Sequence, residues 1–249
     1  MNEVIKAVDL TKIYNKEDKK KRGKISVNLN QVLNGVSLEV YHGDFISIMG
    51  KSGCGKTTLL KILGGIEEAT TGRAIVGDIN LSSCSDEILS DVRQKIVGFV
   101  FQEFYLVDSL TLKENILLPL YISNKPYREI ESLILENAKR FEIEKILDKY
   151  PTEVSGGEKQ RISIARAMIK NAPIIIFDEA TANVDPENED KLQLAMEELT
   201  RNKTVIMIAH RLKTIKNANQ ILVLANGKIM QKGTHEELIQ TDGIYRNFV

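Results

Sequence analysis

The sequence predicts an α/β protein built on a mostly parallel β-sheet flanked by helices. A buried strand, Asp44–Met49, leads directly into a glycine-rich loop and then into a helix at Lys56–Gly64. Later in the chain a strand, a helix and another strand follow each other at Ile174–Asp178, Glu189–Thr200 and Thr204–His210. This order is typical of parallel sheets, because parallel neighbours need a long crossover connection between them.

Shorter patterns place the remaining strands. Val4–Asp9 is apolar and strand-sized, and Val32–Val40 alternates like a half-buried strand. The charge-rich stretch Lys12–Lys24 is typical of a solvated hairpin tip or loop. Gln220–Ala225 predicts a further strand, and Gly227–Gly233 predicts a short hairpin arm after it.

The sequence pattern changes from strand-like to helical after Gln102. Helical periodicity with charged faces runs through Leu112–Leu120, Arg128–Phe141 and Ile143–Lys149. We therefore predict a helical subdomain at residues 102–172, inserted into an α/β core made of residues 1–101 and 173–249.

Composition narrows the function classes. The chain has 249 residues, 43% of them hydrophobic, and a formal net charge of zero, so its charge does not predict a nucleic-acid partner. Its longest apolar runs are strand-sized, far below the roughly 18–20 residues that span a bilayer. We see no signal peptide, so a membrane role would require a partner. The two cysteines, Cys54 and Cys84, indicate no disulfide framework and suit a reducing compartment.

Residues 50–57 read GKSGCGKT, which fits the phosphate-binding pattern G-x-x-x-x-G-K-[ST]. Glycines let the loop turn tightly so that its N–H groups point at phosphate oxygens, and the following helix adds its positive end. Lys56 is expected to reach the β- and γ-phosphates, Thr57 to bind Mg²⁺, and Thr58 to lie near the α-phosphate. The thiol of Cys54 is expected to have a lowered pKa. The candidate nucleotide-binding residues here are Gly50, Lys51, Ser52, Gly53, Cys54, Gly55, Lys56, Thr57 and Thr58.

A second site follows the apolar run Ile174–Phe177, which ends in Asp178 and Glu179. A buried parallel strand delivers such acids to the carboxyl edge of the sheet, where α/β ligand sites form. Asp178 is predicted to hold Mg²⁺, mostly through water, because Mg²⁺ takes few carboxylates. Glu179 is predicted to polarise the attacking water in phosphoryl transfer.

Residues 155–169 read SGGEKQRISIARAMI and resemble the ABC signature, usually written LSGGQ; Val154 stands for its Leu and Glu158 for its Gln. Over nearly its whole length the chain resembles the ATP-binding cassette of ABC transporters. The resemblance implies a P-loop NTPase fold with an N-terminal antiparallel β subdomain. It also implies that the start of this helix contacts the γ-phosphate held by a second cassette, through Ser155, Gly156, Gly157 and Glu158.

Further residues match motifs of the family, in the same order along the chain. The resemblance implies that Tyr14 stacks on adenine and that Gln102 senses Mg²⁺ and the γ-phosphate. It implies that Asp185, in the sequence TANVD, crosses the dimer interface, and that His210 contacts the γ-phosphate. The apolar side chains after Gln102 could dock a helix of a membrane subunit or simply pack in the core: Phe104, Tyr105, Leu106 and Leu110.

The implied cofactors are ATP and Mg²⁺. The implied partners are a second cassette, identical or different, and an integral-membrane permease that holds the chain at the cytoplasmic face of the membrane. The first half resembles stand-alone cassettes for lipoprotein release, macrolide export and antimicrobial-peptide resistance. The C-terminal part, with DEATANVD and VIMIAHRLKTI, resembles fused exporters. Export or membrane-coupled peptide resistance is therefore expected from a separate subunit.

Two other classes of protein fit this sequence less well. Soluble ABC ATPases that act on nucleic acid or ribosomes usually carry two cassettes or a long coiled-coil insertion, and neither is present in this sequence. A P-loop kinase or switch GTPase would leave the SGG signature unexplained, and no guanine-reading Asn-Lys-x-Asp stands at the expected place.

Overall fold

The computed structural model describes residues 2–17, 27–123, 127–179, 186–209 and 215–248. They divide into two compact units: unit 1 lies within residues 1–89 and 206–249, and unit 2 lies within residues 90–205. The predicted helical subdomain, residues 102–172, lies inside unit 2. In the described part of the chain, no helix is both long and apolar enough to cross a membrane.

The strands in the described ranges are β1 Glu3–Glu17, β2 Val27–Tyr41, β3 Phe45–Met49, β4 Thr71–Val76, β5 Ile79–Asn80, β6 Val97–Val100, β7 Ile174–Phe177, β8 Thr204–Ile208, β9 Gln220–Ala225 and β10 Lys228–Gly233. The α-helices there are α1 Lys56–Leu63, α2 Asp86–Asp91, α3 Leu112–Ile122, α4 Tyr127–Arg140, α5 Gly156–Lys170, α6 Pro186–Thr200 and α7 His235–Gln240.

Unit 1 contains an antiparallel sheet with the strand order β2-β1-β4-β5, as the resemblance implied. Ala7 pairs with Leu38 and Ile13 with Gln31 across β1 and β2. Strand β1 continues to Glu17, so the strand includes the first residues of the stretch predicted as a hairpin tip or loop. Backbone pairing with β2 extends the strand there, and a charge-rich sequence gives no sign of that pairing.

Three further strands of unit 1, β3, β9 and β10, pair with one another, and β3 leads into the glycine-rich loop. Strand β3 is parallel to β9, with Ile48 opposite Leu222, and β9 is antiparallel to β10. These pairings confirm the predicted strand before the loop and the predicted hairpin arm. Both β3 and β9 are apolar and mostly buried, as expected of central strands. The loop at the end of β3 is therefore anchored to a rigid core.

Unit 2 contains the parallel pair β6 and β7, with Val97 opposite Ile174 and Val100 opposite Phe177, together with helices α3 to α6. The predicted helix at Ile143–Lys149 is wrong: only a 3₁₀ turn, Glu144–Ile146, forms there. Glu142 adopts a left-handed φ of 52° just after α4, which ends the helix because that conformation cannot continue it.

Candidate functional site

The glycine-rich loop connects β3, which ends at Met49, with α1, which begins at Lys56. Gly50 has φ 153°, and a Cβ on it would lie 2.2 Å from the carbonyl oxygen of Leu224 and 2.6 Å from the sulfur of Cys54. Since the nearest of these atoms is backbone, it cannot give way to a side chain. Only glycine fits at the entry of the loop.

The side chain of Lys56 is held by the loop itself. Lys56 is only 6% exposed, and its ammonium donates hydrogen bonds to the carbonyl oxygens of Gly50 at 2.9 Å and Lys51 at 3.1 Å. A buried ammonium needs such partners, because burying an unpaired charge is costly. The carbonyl groups of the loop therefore fix the position of this cation.

The start of helix α1 has no side-chain cap. Gly55 is its N-cap residue with φ 106° and ψ 6°, and no side chain accepts a hydrogen bond from the first turn at this position. The first N–H groups of a helix have no partner within the helix and carry the positive end of its dipole. Thr57 and Thr58 lie in this first turn. The arrangement is suited to an anion such as a phosphate group.

Tyr14 lies beside this helix start. Its hydroxyl donates a hydrogen bond to the Glu67 carboxylate, and it is also hydrogen-bonded to Thr58. Burial, followed by the hydrogen bond to Glu67, raises the pKa of Tyr14. The ammonium of Lys12 lies 5.0 Å from the ring centroid of Tyr14 and 3.0 Å from the Glu67 carboxylate. Sequence reasoning missed Lys12 and Glu67, because nothing in the sequence pairs residues so far apart.

The expectation of a lowered pKa for Cys54 is wrong. Burial raises the pKa of this thiol, and the positive charge of Lys56 offsets the effect only in part. Cys54 also lines an open cavity of ≈ 990 Å³ in unit 1, outside the loop. The walls of this cavity come from the loop, β2, the end of β9 with the turn after it, and the C-terminal segment: Lys51–Cys54, Asn30–Val32, Leu224–Gly227, Ile244, Asn247 and Phe248.

In unit 2, the pair β6 and β7 brings Gln102 and Asp178 to the same edge. Val100 lies opposite Phe177, and the backbone N–H of Asp178 donates to the Val100 carbonyl at 2.9 Å. Asp178 is buried at 6% exposure, while Gln102 is half-buried. Glu179 follows with a left-handed φ of 51°. Gln102 follows β6, and Asp178 and Glu179 follow β7, so all three lie at the carboxyl ends of neighbouring strands.

The SGG motif begins helix α5, with Ser155 as its N-cap. The Glu158 carboxylate accepts from the Ser155 backbone N–H at 2.8 Å, and the Ser155 hydroxyl accepts from the Glu158 N–H at 3.3 Å. This capping box satisfies two of the orphan donors at the helix start. Burial alone would raise the pKa of Glu158, but its hydrogen bonds from Ser155 lower it on balance. Gly156 has open space around its Cβ position.

Two side chains that the sequence did not single out organise the loop after Gln102. Arg166 donates to the carbonyl oxygens of Phe104 at 2.5 Å and Tyr105 at 2.7 Å. Asn115 is fully buried and its amide bonds four backbone groups between Val107 and Thr111. Neither carries a local sequence signal. Two predicted site residues, Asp185 and His210, lie outside the described residues.

The geometry agrees with what comparisons with known proteins show. Residues 33–182 match the ABC transporter family. The bacitracin export ATP-binding protein BceA of Halalkalibacterium halodurans is 35% identical over 88% of this chain and 90% of its own. The ATP-dependent lipid A-core flippase of Francisella novicida is 37% identical over 87% of this chain and 37% of its own.

A solved structure gives the same picture. The ATP-binding cassette MJ0796, in a dimeric post-hydrolysis state bound to ADP and Pi, superimposes with a TM-score of 0.81 at 31% identity. The match covers 92% of this chain and 98% of MJ0796. The glycine-rich loop, the strand before Asp178 and the helix that begins after Ser155 thus lie in the fold of a known ATP-binding cassette. The chain belongs to the ABC transporter family and is an ATP-hydrolysing cassette of that family.

Proposed function

We propose that this cassette binds Mg²⁺ and ATP at the phosphate loop, closes on a second cassette around two nucleotides, and drives an integral-membrane permease. The observation that carries the proposal is the start of α1. There a glycine-constrained loop, an uncapped helix N-terminus and the fixed ammonium of Lys56 together form an anion site. The adenine ring would stack on Tyr14, a residue of β1 that is hydrogen-bonded to Thr58 in the first turn of α1.

By the resemblance, we assign magnesium binding to the Thr57 hydroxyl, Asp178 and Gln102. These are oxygen donors, which Mg²⁺ prefers, and they include a single carboxylate. In the described part of the chain, no three His, Cys, Asp or Glu side chains cluster as a metal site. Phosphate oxygens and water would therefore supply most of the coordination. Lys56 would hold the γ-phosphate, and Glu179 would orient the attacking water and accept its proton, while magnesium, when bound, would supply neutralisation of the phosphate charge.

The signature residues would complete the site of the opposite cassette. Ser155, Gly156 and Gly157 begin a helix, and helix N-termini bind anions. The Glu158 carboxylate remains tied to Ser155, so it supports the cap instead of reaching toward the nucleotide. We assign the crossing of the dimer interface to Asp185 and a γ-phosphate contact to His210 by the resemblance. The helical subdomain at residues 102–172 would carry both the signature and Gln102.

The permease would dock on unit 2 next to Gln102. Tyr105 is 56% exposed and Val107 40% exposed, which leaves apolar surface in this loop for a short helix of the permease. Export is the direction we favour, because BceA is named for the export of bacitracin. The cassette would then work at the cytoplasmic face of the membrane.

Dimer closure is tested with Glu179→Gln, which should bind ATP without turning it over. Its mass in solution, measured by light scattering, should double with ATP and Mg²⁺ and return to the monomer value with ADP. Lys56→Ala in the same background should stay monomeric. A Glu179→Gln protein that dimerises equally without nucleotide would contradict the ATP sandwich.

The permease is tested by affinity capture of the full chain from detergent-solubilised membranes, with mass spectrometry of what co-purifies. A polytopic membrane protein in stoichiometric amount is expected, and Tyr105→Glu should release it while Tyr121→Glu, at an exposed apolar residue on α3, retains it. Recovery of only ribosomes or nucleic acid would overturn the assignment.

A further inference from the structure

The loop that follows Gln102 contains two consecutive residues in the left-handed region. Phe104 has φ 59° and Tyr105 has φ 44°. Residues with bulky side chains are strained in this region and persist there only where the surrounding structure holds them. The edge-on packing of Tyr105 against Phe101, with ring centroids 4.7 Å apart, fixes the side chain but not the backbone. The backbone conformation needs another support.

Arg166 supplies that support. Its guanidinium reaches from helix α5 to the two strained residues and donates one hydrogen bond to each carbonyl, at 2.5 Å to Phe104 and 2.7 Å to Tyr105. The planar fork of arginine suits two adjacent acceptors, whereas a lysine offers a single point charge. One side chain of the signature helix therefore fixes both consecutive peptide groups.

The same helix also holds the other end of this segment. One turn further along α5, Lys170 donates to the carbonyl oxygens of Arg93 and of Val97, the latter at 2.6 Å. The segment from Arg93 to Tyr105 contains β6 and Gln102. It is thus attached to α5 at both ends through its backbone carbonyls. Because any sequence would provide these acceptors, the attachment depends on the two side chains that donate to them, Arg166 and Lys170.

We propose that Arg166 is a positioning residue for Gln102: it holds the strained loop after Gln102 and makes that loop follow the signature helix. The inference rests on the proposed contact of Gln102 with magnesium. When the start of α5 meets a nucleotide on the opposite cassette, the displacement of the helix reaches Gln102 through Arg166. Nucleotide engagement by the signature and magnesium binding by Gln102 are then linked within one chain.

The test compares Arg166→Gln and Arg166→Lys with Arg201→Gln, a control at an exposed arginine that pairs with Glu198 on the surface. In Arg166→Gln, amide hydrogen exchange at residues 104–107 should accelerate about tenfold, because the loop opens locally. The Mg²⁺ concentration that half-saturates ATP hydrolysis should rise roughly threefold, as expected for a misplaced ligand. ATP affinity in the presence of EDTA should stay unchanged. Arg166→Lys should be intermediate in both readouts.

Unchanged exchange at residues 104–107 would overturn the proposal, and so would faster exchange spread evenly over the whole chain, which marks general destabilisation. If Arg166→Gln fails to fold, the same two readouts on Arg166→Lys decide. A wild-type protein whose hydrolysis does not depend on Mg²⁺ would refute the role of Gln102. The exchange measurement would then still decide whether Arg166 holds the loop.

Discussion

Replacement of glycines in the loop and the signature should have graded effects on stability that follow from local geometry. In Gly50→Ala the new Cβ would lie 2.2 Å from the Leu224 carbonyl oxygen, at a φ of 153° that side chains rarely adopt. Backbone strain contributes roughly 1–3 kcal/mol, and forced overlap adds roughly 1–3 kcal/mol. We therefore expect a loss of about 2–6 kcal/mol, a large part of the total stability of roughly 5–15 kcal/mol.

Two other glycines separate these contributions. Gly53 has φ 77° with nothing within 4 Å of its Cβ position, so Gly53→Ala should suffer strain alone, about 1–2 kcal/mol. Gly156 has no positive φ and open space, so Gly156→Ala should leave the protein as stable or more stable, by up to about 1 kcal/mol. The proposed sandwich places a nucleotide in that space, so Gly156→Ala should impair dimer closure without loss of stability.

The assay is urea denaturation of the three variants beside the wild type, followed by circular dichroism and with ATP absent. The order of stability should be Gly156→Ala, then Gly53→Ala, then Gly50→Ala. A Gly50→Ala protein as stable as Gly53→Ala would refute the reasoning, because it would show that the loop does not approach Leu224 as closely as described.

Three further variants or modifications test single interactions. Glu158→Ala should cost about 1 kcal/mol of unfolding free energy by removing the capping box. Because the pKa of Glu158 is lowered in the folded protein, the difference from wild type should begin to shrink as the pH falls below about 4 and should be lost as the pH falls through that lowered pKa. The exposed Glu197→Ala is the control, and a difference that persists in strong acid would contradict this. Burial lowers the pKa of Lys170 to about 8 in the folded protein, so between about pH 8 and pH 10 the unfolded chain binds more protons than the folded one. The stability of the wild type relative to Lys170→Met should therefore rise with pH over that window. A flat or falling difference would show that this ammonium is not desolvated. The rate at which iodoacetamide alkylates Cys54 should continue to rise with pH above about pH 9, because the pKa of this thiol is raised. ATP should slow the reaction. A rate that reaches its plateau below that pH would indicate a thiolate stabilised by the helix.

Local sequence predicted the part of the site that is local in structure. The strand before Gly50 and the helix after Gly55 are fixed by apolar patterning and glycine, and both are found as predicted. The start of α5 was also readable, because Ser155 and Glu158 form a capping box within one turn.

Contacts between distant segments could not be predicted from the sequence. Tyr14 reaches Glu67, and Arg166 reaches Phe104 and Tyr105, through side chains that have no fixed sequence spacing. The pKa of Cys54 was predicted in the wrong direction for the same reason. Its position near a helix start was visible in the sequence, whereas its burial, which dominates the pKa, depends on the tertiary fold.

The central claim is that Glu179 activates water for hydrolysis of ATP held at Lys56. The most direct test is the rate of phosphate release by purified wild type, Glu179→Gln and the control Glu197→Gln at saturating Mg²⁺ and ATP. Loss of a general base should slow Glu179→Gln about a hundredfold or more, while ATP binding and the rate of Glu197→Gln stay at wild-type values. Near-normal turnover in Glu179→Gln would contradict the account.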